Sequence, residues 1–385
     1  MMGSMMRRAM LGDGSTLSLD FTQMSTLADL TSRGLTFSRS TSGTYINASG
    51  LVATATAGNP RFDYDPSTLQ PRGLLIEGSA SNLLKHSQGL FTSWIQFGTV
   101  GALTTGITSP SGDSSAVSLN LNTAGNNGYY TNNSQMGYTN TVGATYTFSI
   151  WVRATGSTTN LNIRFGDSAV GYSANIPITT SWQRLQYSYV AVAASGPTIA
   201  SATGTATGVV ELWGAQLEAG SGSSSYIPSG ASQGSRAADE CQLLDLTTMG
   251  FNANAGTIYL DVGSRLNSSG RSYTFLPTSG VTDQIFEGGG YALNVYTSGA
   301  FVAQIGGSTV NAQKIAAAYA ANDFASSTNG AAVATDTVGS LPTTLAKLTI
   351  GGSIANPAGY LSGRIRVLKY WPTRLPNAQL QALTT

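Results

Sequence analysis

The chain has 385 residues, with 19 Lys and Arg against 18 Asp and Glu, for a net charge of +1. Only 10% of residues are charged, against about 25% in an average soluble protein, while 41% are hydrophobic and 46 are Gly. This excludes a disordered polar chain and leaves no basic field to neutralise several phosphates, so nucleic acid is not an expected partner.

No segment shows a long helical apolar period. Short alternating stretches recur instead, separated by Gly, Asn, Ser and Pro turns, the pattern of an all-β protein. Thr16–Phe21 alternates with Leu17, Leu19 and Phe21 on one face, and Gly34–Ser38 and Gly43–Ile46 follow. Arg61–Pro66 reads as a turn, and Arg72–Glu77 as a short buried strand. In Thr145–Arg153, Tyr146, Phe148, Ile150 and Val152 point one way and Thr147, Ser149, Trp151 and Arg153 the other. Leu161, Ile163 and Phe165 form another apolar face, and Trp182–Val192 and Val209–Glu218 complete this set. Ser221–Ser225 and Gly230–Gly234 read as a linker. Beyond it, Thr257–Val262, Tyr291–Tyr296, Phe301–Ile305, Lys347–Ile350 and Gly363–Tyr370 are strands. Asn329-Gly330 is a hairpin turn, and Pro376–Leu383 is the best helix. The expected fold is two tandem β-sandwiches (jelly rolls) over 81–230 and 231–385, preceded by a β-rich segment, 1–80.

One Cys, Cys241, and one His, His86, rule out an intrachain disulfide, Cys-rich zinc sites and sites with two histidines. Neither a metal nor another cofactor is expected. The Gly-x-Ser-x-Gly match at Gly230–Gly234 has no strand leading in and no helix leading out, so it lacks the context of a nucleophile elbow. No run of 18 apolar residues is present, so membrane insertion is not expected. A glycosidase needs two carboxylates at a set separation. The chain has five Glu residues, and nothing marks one as an acid, although a pair such as Glu211 with Asp167 stays open.

The composition suits sugar binding, with 17 Tyr, 5 Trp and many Asn. Aromatic faces stack on the C–H surfaces of sugars, and amide, carboxylate or guanidinium groups bond the hydroxyls. Trp151, Arg153 and Arg164 are expected to share one strand face, with Tyr129 and Tyr130 on an Asn-rich loop nearby. The competing reading packs Trp151 beneath a loop. Trp182 and Trp213 read as core. In the last unit, Arg271, Tyr273 and Tyr291, with Asp283 and Glu287, would rim a groove.

Three sets of segments carry a resemblance. Phe37–Tyr45, Pro60–Asp65, Arg72–Glu77 and Asn82–Leu84 look like a module of tailed-bacteriophage structural proteins. Tyr146–Ala154, Ser181–Leu185, Trp213–Glu218 and Ser225–Pro228 resemble the jelly-roll carbohydrate-binding modules of polysaccharide-degrading enzymes. Gly256–Leu260, Lys314–Tyr319, Thr328–Gly330, Leu348–Gly352 and Gly363–Tyr370 resemble a concanavalin-like or laminin-G-like sandwich. These resemblances imply a non-enzymatic virion-surface protein: a fibre, spike or receptor-binding component that adheres to bacterial surface polysaccharide. Its partners would be other phage structural proteins and copies of itself, with a trimer favoured. Met1, Met5, Met6, Arg7 and Arg8 would anchor it to the particle. The alternatives are a capsid decoration or head-fibre protein and, third, a depolymerase.

Overall fold

The computed structural model describes residues 13–88, 94–101, 103–121, 127–155, 162–167, 171–173, 175–201, 208–265, 270–288, 290–306, 313–352 and 359–385. The expected anchoring residues Met1 to Arg8 lie outside them. The chain is all-β and divides into two units, one inserted within the other. The host unit contains the chain up to Gly50, Thr54–Ser79 and Ala237–Thr385; the inserted unit contains Leu51–Ala53 and Ala80–Arg236.

Strands are numbered along the chain. Sheet I of the host unit holds β1 (Leu17–Asp20), β5 (Phe62–Tyr64), β6 (Pro71–Ile76), β21 (Ala255–Arg265), β26 (Lys314–Ala320), β27 (Phe324–Thr328), β28 (Ala334–Asp336) and β30 (Gly363–Trp371). Its order is β28-β27-β26-β21-β30-β6-β5, with β1 also on β30. Sheet II runs β2 (Leu35–Ser38), β20 (Glu240–Leu243), β29 (Leu345–Ile350), β22 (Tyr273–Pro277), β23 (Gln284–Gly288), β24 (Tyr291–Thr297) and β25 (Ala300–Ile305). One core joins the two sheets. Leu19, Leu74, Ile258, Leu260, Ile365 and Leu368 come from sheet I, and Leu35, Phe275, Leu293, Val295 and Ile350 from sheet II. Cys241 lies in this core, where desolvation pushes its thiol up to about 12. On the far side of β26, Ala316 and Ala318 present only methyl groups, so the C-terminal helix Asn377–Thr384 can pack there through Leu380.

Residues 13–79 are therefore not a separate segment. β1 and β6 pair with β30, and β2 pairs with β20. A buried ionic cluster reinforces this closure. Asp239 accepts from Arg39 Nη1 at 2.9 Å, from Arg61 Nη2, and from the backbone N–H of Glu77 at 2.9 Å. Arg61 Nη1 also meets Glu77 Oε2 at 2.7 Å and the Thr44 carbonyl at 2.9 Å. Arg39 donates further to the carbonyls of Thr41, Ala55 and Thr56.

In the inserted unit, sheet III runs β16 (Gln183–Val190), β12 (Thr145–Ala154), β18 (Gly208–Ala219), β10 (Ala116–Leu121) and β9 (Leu103–Ile107). Sheet IV runs β14 (Gly171–Tyr172), β13 (Asn162–Asp167), β17 (Pro197–Ser201), β11 (Gly128–Tyr130) and β8 (Ile95–Phe97), with β15 (Ile176–Pro177) on β13. Their inner faces share a core that includes Phe148, Ile150, Phe165, Ile199, Leu212 and Leu217. The expected linker belongs to this unit. Tyr226 and Ile227 are buried, and Ser224 bonds both carboxylate oxygens of Glu218 through its N–H and hydroxyl. β7 (Ala80–Asn82) and β19 (Gly234–Arg236) pair where the chain enters and leaves the unit.

Asp239→Asn should destabilise the host unit by about 3–5 kcal/mol, because it weakens the pairing of two buried guanidinium groups. Chemical denaturation of the variant checks this. Backbone N–H groups of Thr68 and Ser67 hold the Asp65 carboxyl down to about 2. A depressed carboxylate stabilises the fold above its unfolded value of 3.8 and loses that effect as pH falls towards 2. Asp65→Asn should therefore flatten this part of the acid limb of the stability–pH curve.

Candidate functional site

The outer face of sheet III carries one row of side chains in register. Arg153 on β12 stands opposite Glu211 on β18, Glu211 opposite Ser118 on β10, and Ser118 opposite Thr104 on β9. Trp182, just before β16, extends the row on the other side, with the Arg153 guanidinium 4.7 Å from its ring centroid. Arg153 Nε donates to Glu211 Oε2 at 2.5 Å. Trp182, Arg153 and Ser118 are half-buried, and Thr104 is exposed. Alternation explains the row: on β12 the residues between these, Ile150 and Val152, point into the core.

A wall of indoles borders the row. Between Ser149 and Trp151 the β12–β18 register shifts, so that Trp151 faces Trp213. The extra residue lies on β18, where Gly214 has φ +68°, and a Cβ there would sit 3.2 Å from Trp151 Cδ1 and 3.3 Å from Tyr226 Cε2. Glycine therefore suits the bulge on both backbone and steric grounds. Trp213 is 1% exposed, donates through Nε1 to Ser115 Oγ at 2.7 Å, and lies against Tyr226 with centroids 4.5 Å apart. Trp151 is 7% exposed. Further along the face, Gln216 donates to Glu218, and Arg184 donates to Ser149 Oγ and the Ser224 carbonyl. Burial raises the Glu218 pKa, and its hydrogen bonds and Arg184 oppose that rise.

The platform expected from sequence is split between the sheets. Trp151 and Arg153 are on sheet III, whereas Arg164, Tyr129 and Tyr130 are on strands of sheet IV. β12 and β13 follow each other in the chain but cross between sheets and do not form a hairpin. Successive residues on a strand face opposite ways, so Tyr129 enters the core while Tyr130 stays half-buried near Phe97, 6.1 Å between centroids. The backbone of Arg164 pairs with Ala200; its side chain lies outside the described set. Trp213 is core-like as expected. Trp182 is not, and its position one residue before an edge strand was the available signal. Glu211, open from the sequence as half of a carboxylate pair with Asp167, is ion-paired to Arg153.

The expected groove in the host unit does not assemble either. Tyr273 is in the core, where desolvation drives its hydroxyl pKa far up. Glu287 is buried against Arg265, with Nη2–Oε1 3.0 Å, and accepts the Ser272 N–H at 3.0 Å. Asp283 caps a turn through Ser298 N–H at 2.8 Å and binds the Thr344 hydroxyl at 2.6 Å. Tyr291 is exposed at the start of β24, and Arg271 lies over the Phe286 ring at 3.7 Å.

No protein-family model matches the chain, and no curated protein matches it in sequence. Among solved structures, the chain is similar to the CBM22-1 xylan-binding domain of Paenibacillus barcinonensis Xyn10C, at 15% identity and TM-score 0.29, covering 38% of this chain and 99% of that one. The CBM22-1-CBM22-2 tandem domain of the same protein is 9% identical at TM-score 0.29, covering 77% and 98%. The enzymatically active domain of bacteriophage CBA120 tailspike protein 4 is 17% identical at TM-score 0.25, covering 36% and 21%. At these scores the likenesses carry no argument about what the chain binds.

The burial pattern separates the two kinds of tryptophan. Trp182→Ala should cost under about 1 kcal/mol of stability, in line with a partly exposed surface position. Trp213→Ala should cost about 3–5 kcal/mol through cavity formation. Urea unfolding of the two variants tests the distinction.

Proposed function

We propose that the chain is a non-catalytic glycan-binding component of a tailed-phage particle surface, a fibre, spike or receptor-binding protein. The observation that carries the glycan-binding part is the row Trp182–Arg153–Glu211–Ser118–Thr104. It combines an indole ring, a guanidinium–carboxylate pair and two hydroxyls along one line of a sheet. A sugar ring stacks on the indole, while Arg153, Glu211 and the hydroxyls exchange hydrogen bonds with its hydroxyl groups. The Arg153–Glu211 pair cancels its own charge, which suits a neutral polysaccharide. Each such contact is weak, so affinity would come from repeated copies, and a homo-oligomer, a trimer by resemblance, fits that requirement.

The particle-surface part rests on the sequence resemblance to phage structural modules. A decoration or head-fibre role is the second reading. It is favoured by Arg39, Arg61 and Glu77, which lie in the segments that carry the phage resemblance and build a buried structural cluster in this chain.

Affinity electrophoresis of the full chain through gels containing purified capsular polysaccharides or dextran tests the binding. The wild-type protein should be retarded and Trp182→Ala markedly less so, with the polymer's mass unchanged after incubation. A falling polymer mass would replace this reading with the depolymerase, and no retardation on any polymer would remove glycan binding. Cryo-EM of the particle separates the two placements: a few copies at the tail tip, or many tiling the head.

A further inference from the structure

A second aromatic surface lies on the outer face of sheet II in the host unit. Arg271, Phe286, Tyr296 and Phe301 form a continuous stack. The Arg271 guanidinium lies 3.7 Å from the Phe286 centroid, Phe286 and Tyr296 are 5.7 Å apart at 27°, and Tyr296 and Phe301 are 3.9 Å apart at 43°. One end of the stack is closed, because Arg271 Nη1 bonds Gln284 Oε1 at 2.5 Å and Phe286 is buried. The other end is open: Phe301 is 53% exposed, the most exposed aromatic ring among the described residues.

The open end is held in place from behind. Ser298 (φ 53°) and Gly299 (φ 82°) make the tight turn between β24 and β25. Asp283 accepts the Ser298 N–H, and the Gly299 N–H donates to the Thr282 carbonyl at 2.7 Å. The turn sets Phe301 opposite Tyr296, and a register shift just beyond it sets Gln304 opposite Asn294, which puts both pairs on the outer face. Gln304 is exposed and donates to Asn294 Oδ1 at 3.0 Å. A fixed, exposed ring beside a carboxamide is thus formed without a free charge, since the one cation in the stack is engaged at its closed end.

We infer that this surface is a separate saccharide subsite, in which Phe301 stacks on the C–H face of a neutral pyranose ring and Gln304 bonds its hydroxyls. The ligand class rests on the glycan-binding reading above, but the residues do not overlap with those of sheet III. A macromolecular partner would need about 800 Å² of buried surface on this side. One exposed ring with an amide beside it suits a single sugar unit better.

The experiment compares the wild-type chain, Phe301→Ala, Phe301→Tyr, Trp182→Ala and the Phe301→Ala/Trp182→Ala double variant on the same polysaccharide gels, after thermal melts confirm folding. Phe301→Ala should weaken retardation about two- to tenfold, the range of one aromatic stacking contact. Phe301→Tyr should retain it, and the double variant should fall below either single one. If Phe301→Ala matches its parent in both backgrounds, this subsite is overturned while the sheet III reading stands. If Phe301→Ala weakens binding and Trp182→Ala does not, the sheet III reading fails and this subsite stands. If the wild-type chain is not retarded by any polymer, both fall.

Discussion

A buried carboxylate fixes the architecture. Asp239 follows the inserted unit in the chain, and its three donors, Arg39, Arg61 and Glu77 N–H, all precede it. Charges removed from water are tolerable only when paired and hydrogen-bonded, so Asp239 depends on the preceding stretch for its cations, and Arg39 depends on Asp239 for its carboxylate. The same closure then recurs in the strand ladders, with β1 and β6 on β30 and β2 on β20. Coulombic attraction to Asp239 and Glu77 keeps Arg61 charged despite burial, which otherwise disfavours the cation.

Both candidate surfaces follow from one property of the strands. An antiparallel sheet packed on one side leaves its other face for polar or special residues, and register decides which of them line up. In sheet III a glycine bulge shifts that register and gathers Trp151, Trp213 and Tyr226 into a wall beside the polar row. In sheet II a shift between β24 and β25 brings Gln304 onto the face that carries Phe301 and Tyr296. Irregular positions in otherwise regular ladders thus set the shape of each surface.

The strands that the alternating pattern marked clearly are present. Thr145–Arg153 is β12, Gly43–Ile46 is a strand as read, and the helix read at Pro376–Leu383 spans Asn377–Thr384 with Pro376 before its first turn. Asn329 and Gly330 both adopt positive φ, as their hairpin requires. Long-range pairing was not legible. Nothing local in Leu17–Asp20 signals a partner on β30, because such a ladder is set by the hydrophobic faces of the whole unit. The site was half legible for the same reason. Trp151 and Arg153 were placed on the correct strand face, but which sheet received Arg164 depended on a crossover that local alternation does not encode. Trp182 was read as interior because tryptophan usually is; its edge position, with Arg153 on its ring, made the difference.

The short β7–β19 ladder has a consequence for how such a chain can change. Asn82 sits opposite Gly234, so the main segment of the inserted unit, Ala80–Arg236, begins and ends at neighbouring points. A unit whose ends meet can be replaced by another of different length at small cost in loop-closure entropy, since that cost grows only with the logarithm of length. The ionic cluster and the ladders of sheets I and II are built entirely from residues outside Ala80–Arg236. The arrangement lets Ala80–Arg236 vary as one block, with Leu51–Ala53 the single stretch of the inserted unit that the earlier part of the chain supplies.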